Sequence, residues 1–217
     1  MGRMKIAVLI SGRGSNLQAL IEATQERDYP ADICTVISNV PGAVGLARAE
    51  KAGLTTQTID HRQFQGRAPF EDALHDALTA SGAELICLAG FMRLLTEHFL
   101  TRWPDRVINI HPSLLPAFRG LHVHERVIAY GARFSGCTVH FVRPAMDDGP
   151  IIVQAVVPVR QDDDPDRLAD RVLAEEHRIL PLAVRLIAEH RAHIAGDRVN
   201  VDNAPPPEGA LINPLHL

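Results

Sequence analysis

Cysteine is scarce in this sequence, with only three among 217 residues. Cys34, Cys87 and Cys137 lie far apart and form no CxxC pair. An odd, dispersed set of this kind excludes a disulfide framework and argues against a metal site built of paired thiolates. We therefore expect the three residues to be small apolar components of a reduced protein.

Long apolar runs and blocks of like charge are also missing. No run approaches the roughly 20 residues of a membrane span, and the apolar part of MGRMKIAVLISGRG is too short for a signal peptide. The 22 Lys and Arg residues against 26 Asp and Glu residues give a net charge of −4. We expect a cytoplasmic protein, monomer or homodimer, whose partners are small molecules and neither nucleic acid nor membrane.

What the sequence does contain is an alternation of apolar runs with stretches of helical spacing, which is typical of repeated βα units. It predicts an α/β, Rossmann-like fold in three layers, with a mostly parallel, mixed central sheet of about seven strands and helices on both faces. Strands are predicted at 5–10, 32–38, 54–58, 84–90, 106–110, 136–142 and 151–159, and helices at 16–27, 43–52, 68–80, 95–102, 123–130 and 165–190.

The length of the chain favours one domain. We expect a phosphate-binding βα half at 1–100, a catalytic half at 101–190, and a short hairpin with an extended tail at 191–217. The long helix of the second half is predicted to begin with Asp164 as N-cap and Pro165 in its first turn.

A glycine-rich stretch, ISGRGSNLQAL, joins the first strand to the first helix. Gly12 and Gly14 allow a tight turn, after which the amides of Gly14, Ser15 and Asn16 would face an anion at the helix N-terminus. A dinucleotide fingerprint would need a third glycine where the chain has Leu17, so a phosphate monoester fits better. The alternative is a plain turn in which Ser15 only caps the helix.

Two polar side chains stand at the end of the strand in NIHPSLLPAF. Asn109 and His111 are two residues apart and so project to the same side of the strand, at the sheet edge where ligands bind in open α/β folds. The later turn MDDGP would bring Asp147 or Asp148 towards them. An amide donor, an imidazole and an orienting carboxylate suit a carbonyl attacked by the substrate's own nucleophile.

Two other kinds of chemistry are less well supported by these residues. Ser113 follows His111, but no GxSxG elbow surrounds it as expected for a nucleophilic serine. His122 and His124 form an HxH pair that lacks a third ligand at a suitable spacing, so we expect no catalytic metal. A nicotinamide or nucleotide-sugar enzyme and a non-catalytic phosphate-binding module remain alternatives outside acyl transfer.

The motifs ISGRGSN, LAGFMRLL, NIHPSLLPAF, GLHVH, SGCTVHFV and MDDGPII occur in this order over nearly all of the chain. Together they resemble the phosphoribosylglycinamide formyltransferases. The resemblance implies transfer of a formyl group from 10-formyltetrahydrofolate, as cosubstrate, to the amino group of glycinamide ribonucleotide (GAR) in purine biosynthesis. Formyltetrahydrofolate deformylase and methionyl-tRNA formyltransferase share the catalytic motif, but each carries an additional domain that this chain does not resemble.

The resemblance also implies roles for individual residues. Asn109 would hold the formyl oxygen, His111 would carry the proton, and Asp147 would keep His111 basic and oriented. The residues implied for binding of glycinamide ribonucleotide are Gly14, Ser15, Asn16 and Glu176.

By the same resemblance, 101–190 is the folate-binding as well as the catalytic half, and Asn109 also touches folate. Arg67 would pair with the carboxylate end of folate, and His140 would support the loop that carries Asp147. The family usually has a small residue in place of Asp148, which we expect to face solvent. The segment implied for the pterin comprises Met92, Arg93, Leu94 and Leu95.

Overall fold

The fold is built on a seven-stranded sheet in a computed structural model that describes residues 2–205 and 207–214. The strand order is β3-β2-β1-β4-β5-β6-β7; the first five strands in this order are parallel, β6 runs antiparallel to them, and β7 pairs with β6 and runs in the same direction as the first five. This arrangement confirms the predicted α/β fold with a mostly parallel, mixed sheet. The strands are β1 (Met4–Ile10), β2 (Ala31–Ser38), β3 (Thr56–Thr58), β4 (Leu85–Leu88), β5 (Val107–His111), β6 (Phe134–Phe141) and β7 (Ile151–Pro158).

Helices cover both faces of the sheet, as predicted, and each face has its own apolar core. Helices α1, α2, α5 and α6 pack on one core, and α3 and α4 pack on the other. The helices are α1 (Ser15–Gln25), α2 (Val44–Lys51), α3 (Arg67–Ala80), α4 (Glu97–Arg102), α5 (Val123–Tyr130) and α6 (Pro165–Ala188).

Helix α6 begins as the sequence predicts. The side chain of Asp164 accepts a hydrogen bond from the amide of Arg167, and Pro165 occupies the first turn. Its apolar face, which includes Leu168 and Val172, is fully buried. Glu176 lies on that buried face although it is acidic, which sets it apart from the solvated charges of the same helix.

The chain reverses direction across the sheet between β1 and β4. From β1 it proceeds outwards to β2 and β3, and it then returns to place β4 on the other side of β1. In an open α/β sheet, such a switch point leaves a crevice above the carboxyl ends of the central strands. The turns after β1, β4 and β5 therefore border one crevice, and they carry most of the predicted site residues.

Glycine is required at one position in the antiparallel part of the sheet. A side-chain carbon at Gly136 would lie 1.9 Å from the carbonyl oxygen of Ala155 and 2.8 Å from a methyl carbon of Leu114. No residue other than glycine fits between those neighbours without moving the backbone. Gly136 thus fixes the register of β6 against β7.

The remaining elements differ only slightly from the prediction. A short 3₁₀ helix at His61–Gln63, not predicted, is capped by the side chain of Asp60, and β3 starts two residues later than expected. The predicted hairpin is present as β8 (Ala192–Ala195) and β9 (Arg198–Val201). Of the predicted tail, residues 206 and 215–217 lie outside the described part of the chain.

Within residues 2–205 and 207–214, no helix is long and apolar enough to cross a membrane. Cys87 and Cys137 are buried and Cys34 is half-buried, and all three are free thiols, as expected for apolar filling residues. Burial raises the pKa of the Cys137 thiol to about 12, so this thiol stays protonated at neutral pH.

Candidate active site

The imidazole of His111 lies between two hydrogen-bond acceptors at the end of β5. Its Nε2 is 3.1 Å from the carbonyl oxygen of Phe118, and its Nδ1 is 3.4 Å from Oδ1 of Asp147. The side chain is only 7% exposed. A carbonyl and a carboxylate both accept hydrogen bonds, so each ring nitrogen of His111 faces an acceptor.

Asp147, rather than Asp148, is the carboxylate that faces His111. Its second oxygen accepts a hydrogen bond from the amide of Gly120 at 2.7 Å, which ties the β6–β7 loop to the loop after β5. Asp148 turns away and forms an ion pair with Arg119 at 2.7 Å, with nearly half of each side chain exposed. The carboxylate of Asp147 therefore faces His111, and the carboxylate of Asp148 lies at the surface.

Asn109 and His140 are directly opposite each other on the antiparallel strands β5 and β6. Nδ1 of His140 is 3.0 Å from the carbonyl oxygen of Phe141 and must donate to it, so Nε2 is left as an acceptor for Nδ2 of Asn109 at 3.3 Å. This hydrogen bond orients the amide and leaves the second N–H of Asn109 unbonded to His140. The hydrogen bonds of His140 therefore go to Asn109 and to Phe141, the last residue of β6; its support of the following loop stays a prediction.

Burial holds the pKa of His140 below its usual value, against the opposing effects of its hydrogen bond to Phe141 and of the Asp147 charge. A neutral ring is the state that accepts from Asn109. The pKa values of His124 and His177 are also lowered by burial. These three imidazoles thus remain neutral in the folded protein at pH values where an exposed histidine would begin to take up a proton.

The free energy of unfolding is expected to fall as the pH drops below about 6.5, where histidines of the unfolded chain become protonated. In this window the unfolded chain binds more protons than the folded protein, in which the pKa of His140 is lowered, so stability must rise with pH. His140→Gln should reduce the slope by up to about 1.4 kcal/mol per pH unit. Urea unfolding at several pH values between 5 and 7 measures both slopes; parallel curves for the two proteins would contradict the assignment.

Ser113 is placed in a structural role. Its hydroxyl is completely buried and donates a hydrogen bond to the carbonyl oxygen of Ala117 at 2.6 Å. The carbonyl oxygen of Ser113 in turn accepts from the hydroxyl of Thr138. The side chain therefore holds the loop after β5 and does not face a base, which argues against a serine nucleophile.

The turn after β1 presents open amides at the N-terminus of α1. Gly14 is the N-cap residue, in the left-handed conformation with φ +70°, and no side chain caps the helix. The alternative in which Ser15 caps α1 is therefore wrong, because Ser15 is already helical. The first turn also contains no acidic residue, so the helix N-terminus is free to attract an anion.

We call residues 11–14 the phosphate loop, after the ligand that the sequence predicts for it. It is packed tightly against the start of α2, since a side-chain carbon at Gly14 would lie only 2.7 Å from Cα of Gly45. The amide of Gly45 also donates to the carbonyl oxygen of Gly12 at 3.0 Å. Gly45 was not predicted to border this loop, although a glycine at the start of a helix is a signal for close backbone approach.

Asn16 and Glu176 form a buried polar pair between α1 and α6. Nδ2 of Asn16 donates to the Glu176 carboxylate at 2.7 Å, and both side chains are more than nine-tenths buried. Burial raises the pKa of Glu176, while the hydrogen bond from Asn16 opposes this shift. The structure thus unites two residues that lie 160 positions apart and that the resemblance assigned to one substrate.

The segment after β4 lies next to Asn109, because Leu88 pairs with Asn109 in the sheet. Met92 and Leu94 are exposed, by 67% and 53%, and offer apolar surface at the crevice. Arg93 is half-buried. Leu95 differs from its neighbours, since its side chain is buried in the core under α3 and α4 and forms the base of the segment.

Two hydrogen-bonding side chains fix this segment, and neither was identified from sequence. The hydroxyl of Ser11 accepts from the amide of Met92 at 2.8 Å and donates to the side chain of Asn39 at 2.5 Å. The almost fully buried carboxylate of Glu71 accepts from the amide of Thr96 at 2.8 Å and from its hydroxyl. In the sequence, Glu71 cannot be distinguished from the other charged residues of α3, and its role is apparent only from the fold.

Arg67 is the first residue of α3 and is exposed. The described residues provide no hydrogen bond or ion pair to its side chain, so the structure shows no polar contact between Arg67 and the other predicted site residues. The preceding Gly66 has φ +107°, which allows the sharp turn into the helix.

The HxH pair does not form a ligand cluster in the part of the chain that the structure describes. His122 pairs with Glu125 at 2.8 Å and is largely exposed, while Nδ1 of His124 is buried without a hydrogen-bond partner. No group of three or more His, Cys, Asp or Glu side chains is placed to hold a metal ion among these residues.

Known proteins share this architecture and are similar to the chain in sequence. The family described as formyl transferase matches residues 4–184 of the chain. Phosphoribosylglycinamide formyltransferase of Escherichia coli (strain K12) is 39% identical over 207 residues, which cover 95% of this chain and 98% of that protein. The resemblance drawn from the sequence motifs is thereby confirmed at the level of the family.

A longer relative and a solved structure are also similar. The trifunctional purine biosynthetic protein adenosine-3 of Gallus gallus is 47% identical over 186 residues; the match covers 86% of this chain but only 18% of that protein. The crystal structure of glycinamide ribonucleotide transformylase 1 from Symbiobacterium toebii superimposes with a TM-score of 0.90 at 47% identity, covering 92% of this chain and 94% of that one.

Proposed function

Because the chain belongs to the formyl transferase family, we propose that it is a phosphoribosylglycinamide formyltransferase of purine biosynthesis. It transfers the formyl group of 10-formyltetrahydrofolate to the amino group of glycinamide ribonucleotide. The observation that carries this proposal is the convergence of Asn109, His111 and Asp147 at the carboxyl end of β5, where the nearby hydroxyl of Ser113 is bonded to Ala117.

In the proposed reaction the substrate amine attacks the formyl carbon directly. A C–N bond forms, the carbonyl oxygen becomes negatively charged, and the C–N bond to the folate nitrogen then breaks. The N–H of Asn109 that is not bonded to His140 is suited to stabilise that oxygen, with His111 beside it at the end of β5. Asp147 balances the charge of His111 while the ring serves in proton transfer from the amine to the leaving nitrogen.

The two substrates occupy different sides of the crevice in this proposal. The phosphate of glycinamide ribonucleotide binds at the amides of Gly14, Ser15 and Asn16, and its ribose hydroxyls meet Glu176. Folate lies along the exposed segment after β4, where Met92 and Leu94 supply apolar contact. The residues assigned to folate are Arg67, Met92, Arg93, Leu94, Leu95 and Asn109, with Leu95 acting from the core beneath.

The test is a spectroscopic assay of 10-formyltetrahydrofolate turnover, with and without glycinamide ribonucleotide. Turnover that requires the amine supports the proposed transfer. Turnover at the same rate without the amine would indicate a deformylase, and absence of turnover with both substrates would remove the proposal.

Asp147→Asn is expected to lower kcat by roughly 10², whereas Asp148→Asn should change kcat less than about twofold. Asparagine keeps the size of Asp147 and the acceptor for Gly120, but it loses the charge that balances His111. Asp148 only pairs with Arg119 at the surface. Steady-state kinetics of the two matched variants decides the assignment, and a larger loss in Asp148→Asn would reverse it.

A further inference from the structure

A cavity of about 510 Å³ lies beside the phosphate loop, between α1, α2 and α6. Ser15, the first residue of α1, forms part of its wall, and Arg48 of α2 forms another part. On the opposite side the wall is completed by His177 and Pro181 of α6. The open N-terminus of α1 and Arg48, for which no role was predicted, thus border the same cavity.

The guanidinium of Arg48 is fixed against the phosphate loop. Its Nε donates to the carbonyl oxygen of Arg13 at 3.0 Å. Among residues 2–205 and 207–214, neither Nη1 nor Nη2 of Arg48 has an acceptor, and no carboxylate forms an ion pair with it. The side chain is therefore held at one nitrogen and keeps the other two available for a ligand.

We propose that Arg48 binds the phosphate of glycinamide ribonucleotide and makes the enzyme selective for the phosphorylated substrate. This inference rests on the proposed function and adds a residue to its phosphate site. A guanidinium presents paired N–H groups that match two oxygens of a phosphate, while the amides of Ser15 and Asn16 donate from the helix N-terminus. Anchoring through Arg13 reduces the conformational entropy that Arg48 loses on binding.

The other charges in the cavity lie at its far end. Glu22 is seven residues after Ser15, which is roughly 10 Å along a helix axis, and its carboxylate accepts from the side chain of Gln18. Glu26 lies further along α1 and pairs with Arg185. The positive charge of Arg48 is thus nearest to the phosphate loop, and both carboxylates are distant from the helix N-terminus.

Arg13 is the rival for this role. It belongs to the phosphate loop and is exposed, and the described residues offer its guanidinium no hydrogen bond. Its backbone carbonyl is engaged by Arg48, but its own side chain is not fixed by any contact of this kind. Only Arg48 combines an anchored guanidinium with a position on the cavity wall.

The test compares glycinamide ribonucleotide with glycinamide ribonucleoside, which lacks the phosphate. Arg48→Ala should reduce kcat/KM for the ribonucleotide about 10- to 100-fold and change kcat/KM for the ribonucleoside less than about twofold. Lys51→Ala, which removes an exposed cation three residues later on α2, is the matched control and should leave both values unchanged.

Equal losses with both substrates would overturn the proposal, because they would mean that Arg48 only supports the loop. Selective loss in Arg13→Ala instead of Arg48→Ala would assign the phosphate to Arg13. A second readout is independent of turnover: inorganic phosphate should raise the Tm of the wild type and of Lys51→Ala but not of Arg48→Ala. Failure of the wild type to formylate the ribonucleotide would remove the proposed function, while the Tm comparison would still decide whether Arg48 binds phosphate.

Discussion

Replacement of His111 by asparagine is expected to lower kcat by roughly 10²- to 10⁴-fold. The asparagine amide lies near the position of Nδ1 and can still donate to Asp147, but it has no titratable nitrogen and cannot transfer a proton. The KM values for both substrates should change little, since the ring contacts Phe118 and Asp147 and neither substrate-binding segment. Steady-state kinetics with each substrate varied in turn measures this separation of kcat from KM.

His193→Asn provides the control for this variant. His193 lies on β8 and is more than half exposed, and within residues 2–205 and 207–214 it forms one ion pair, with Asp202 just after β9. Its replacement should leave kcat unchanged. Wild-type kcat in His111→Asn would exclude His111 as the proton carrier and would leave Asp147 without a partner in the proposed reaction.

Replacement of Asn109 by alanine is expected to lower kcat by roughly 10²- to 10³-fold. In the proposed reaction the amide supplies the side-chain N–H for the formyl oxygen, and a fixed donor contributes most when negative charge develops on its acceptor. Alanine also leaves Nε2 of the buried His140 without its partner. The measurement is single-turnover formyl transfer, so that product release does not mask the chemical step.

Asn200→Ala, on the exposed side of β9, is a suitable control because it removes an amide remote from the crevice. In Asn109→Ala, the Kd for folate, measured by direct binding, should rise by a much smaller factor than the factor by which kcat falls. A variant that loses folate binding but retains the rate of the bound complex would assign Asn109 to substrate binding alone.

Much of the framework follows from local patterns in the sequence. Alternating apolar runs predicted the seven strands and the helices on both faces, and a spacing of two placed Asn109 and His111 on one side of β5. The start of α6 followed from Asp164 and Pro165. These features depend on residues close together in the chain, where propensity and side-chain periodicity act directly.

The remaining contacts join distant parts of the chain and depend on the fold. Whether Asp147 or Asp148 meets His111 is set by the path of a loop in which Asp147 adopts φ +48°. Phe118, whose carbonyl binds His111, also has a positive φ of 54°. Such conformations cost about 1 to 3 kcal/mol for residues other than glycine, so the sequence gives no local signal for them and tertiary contacts must impose them.

The tight packing of Gly136 has a consequence for how accurately the protein folds. Strand β6 is buried on both faces, so hydrophobicity alone does not distinguish the native register from a slip of one residue. A slip would place Ser135 or Cys137 where only glycine fits, and it would also turn the imidazole of His140 away from Asn109. The steric clash at Gly136 excludes a misaligned β6. In chains that complete folding, the amide of Asn109 is therefore correctly oriented.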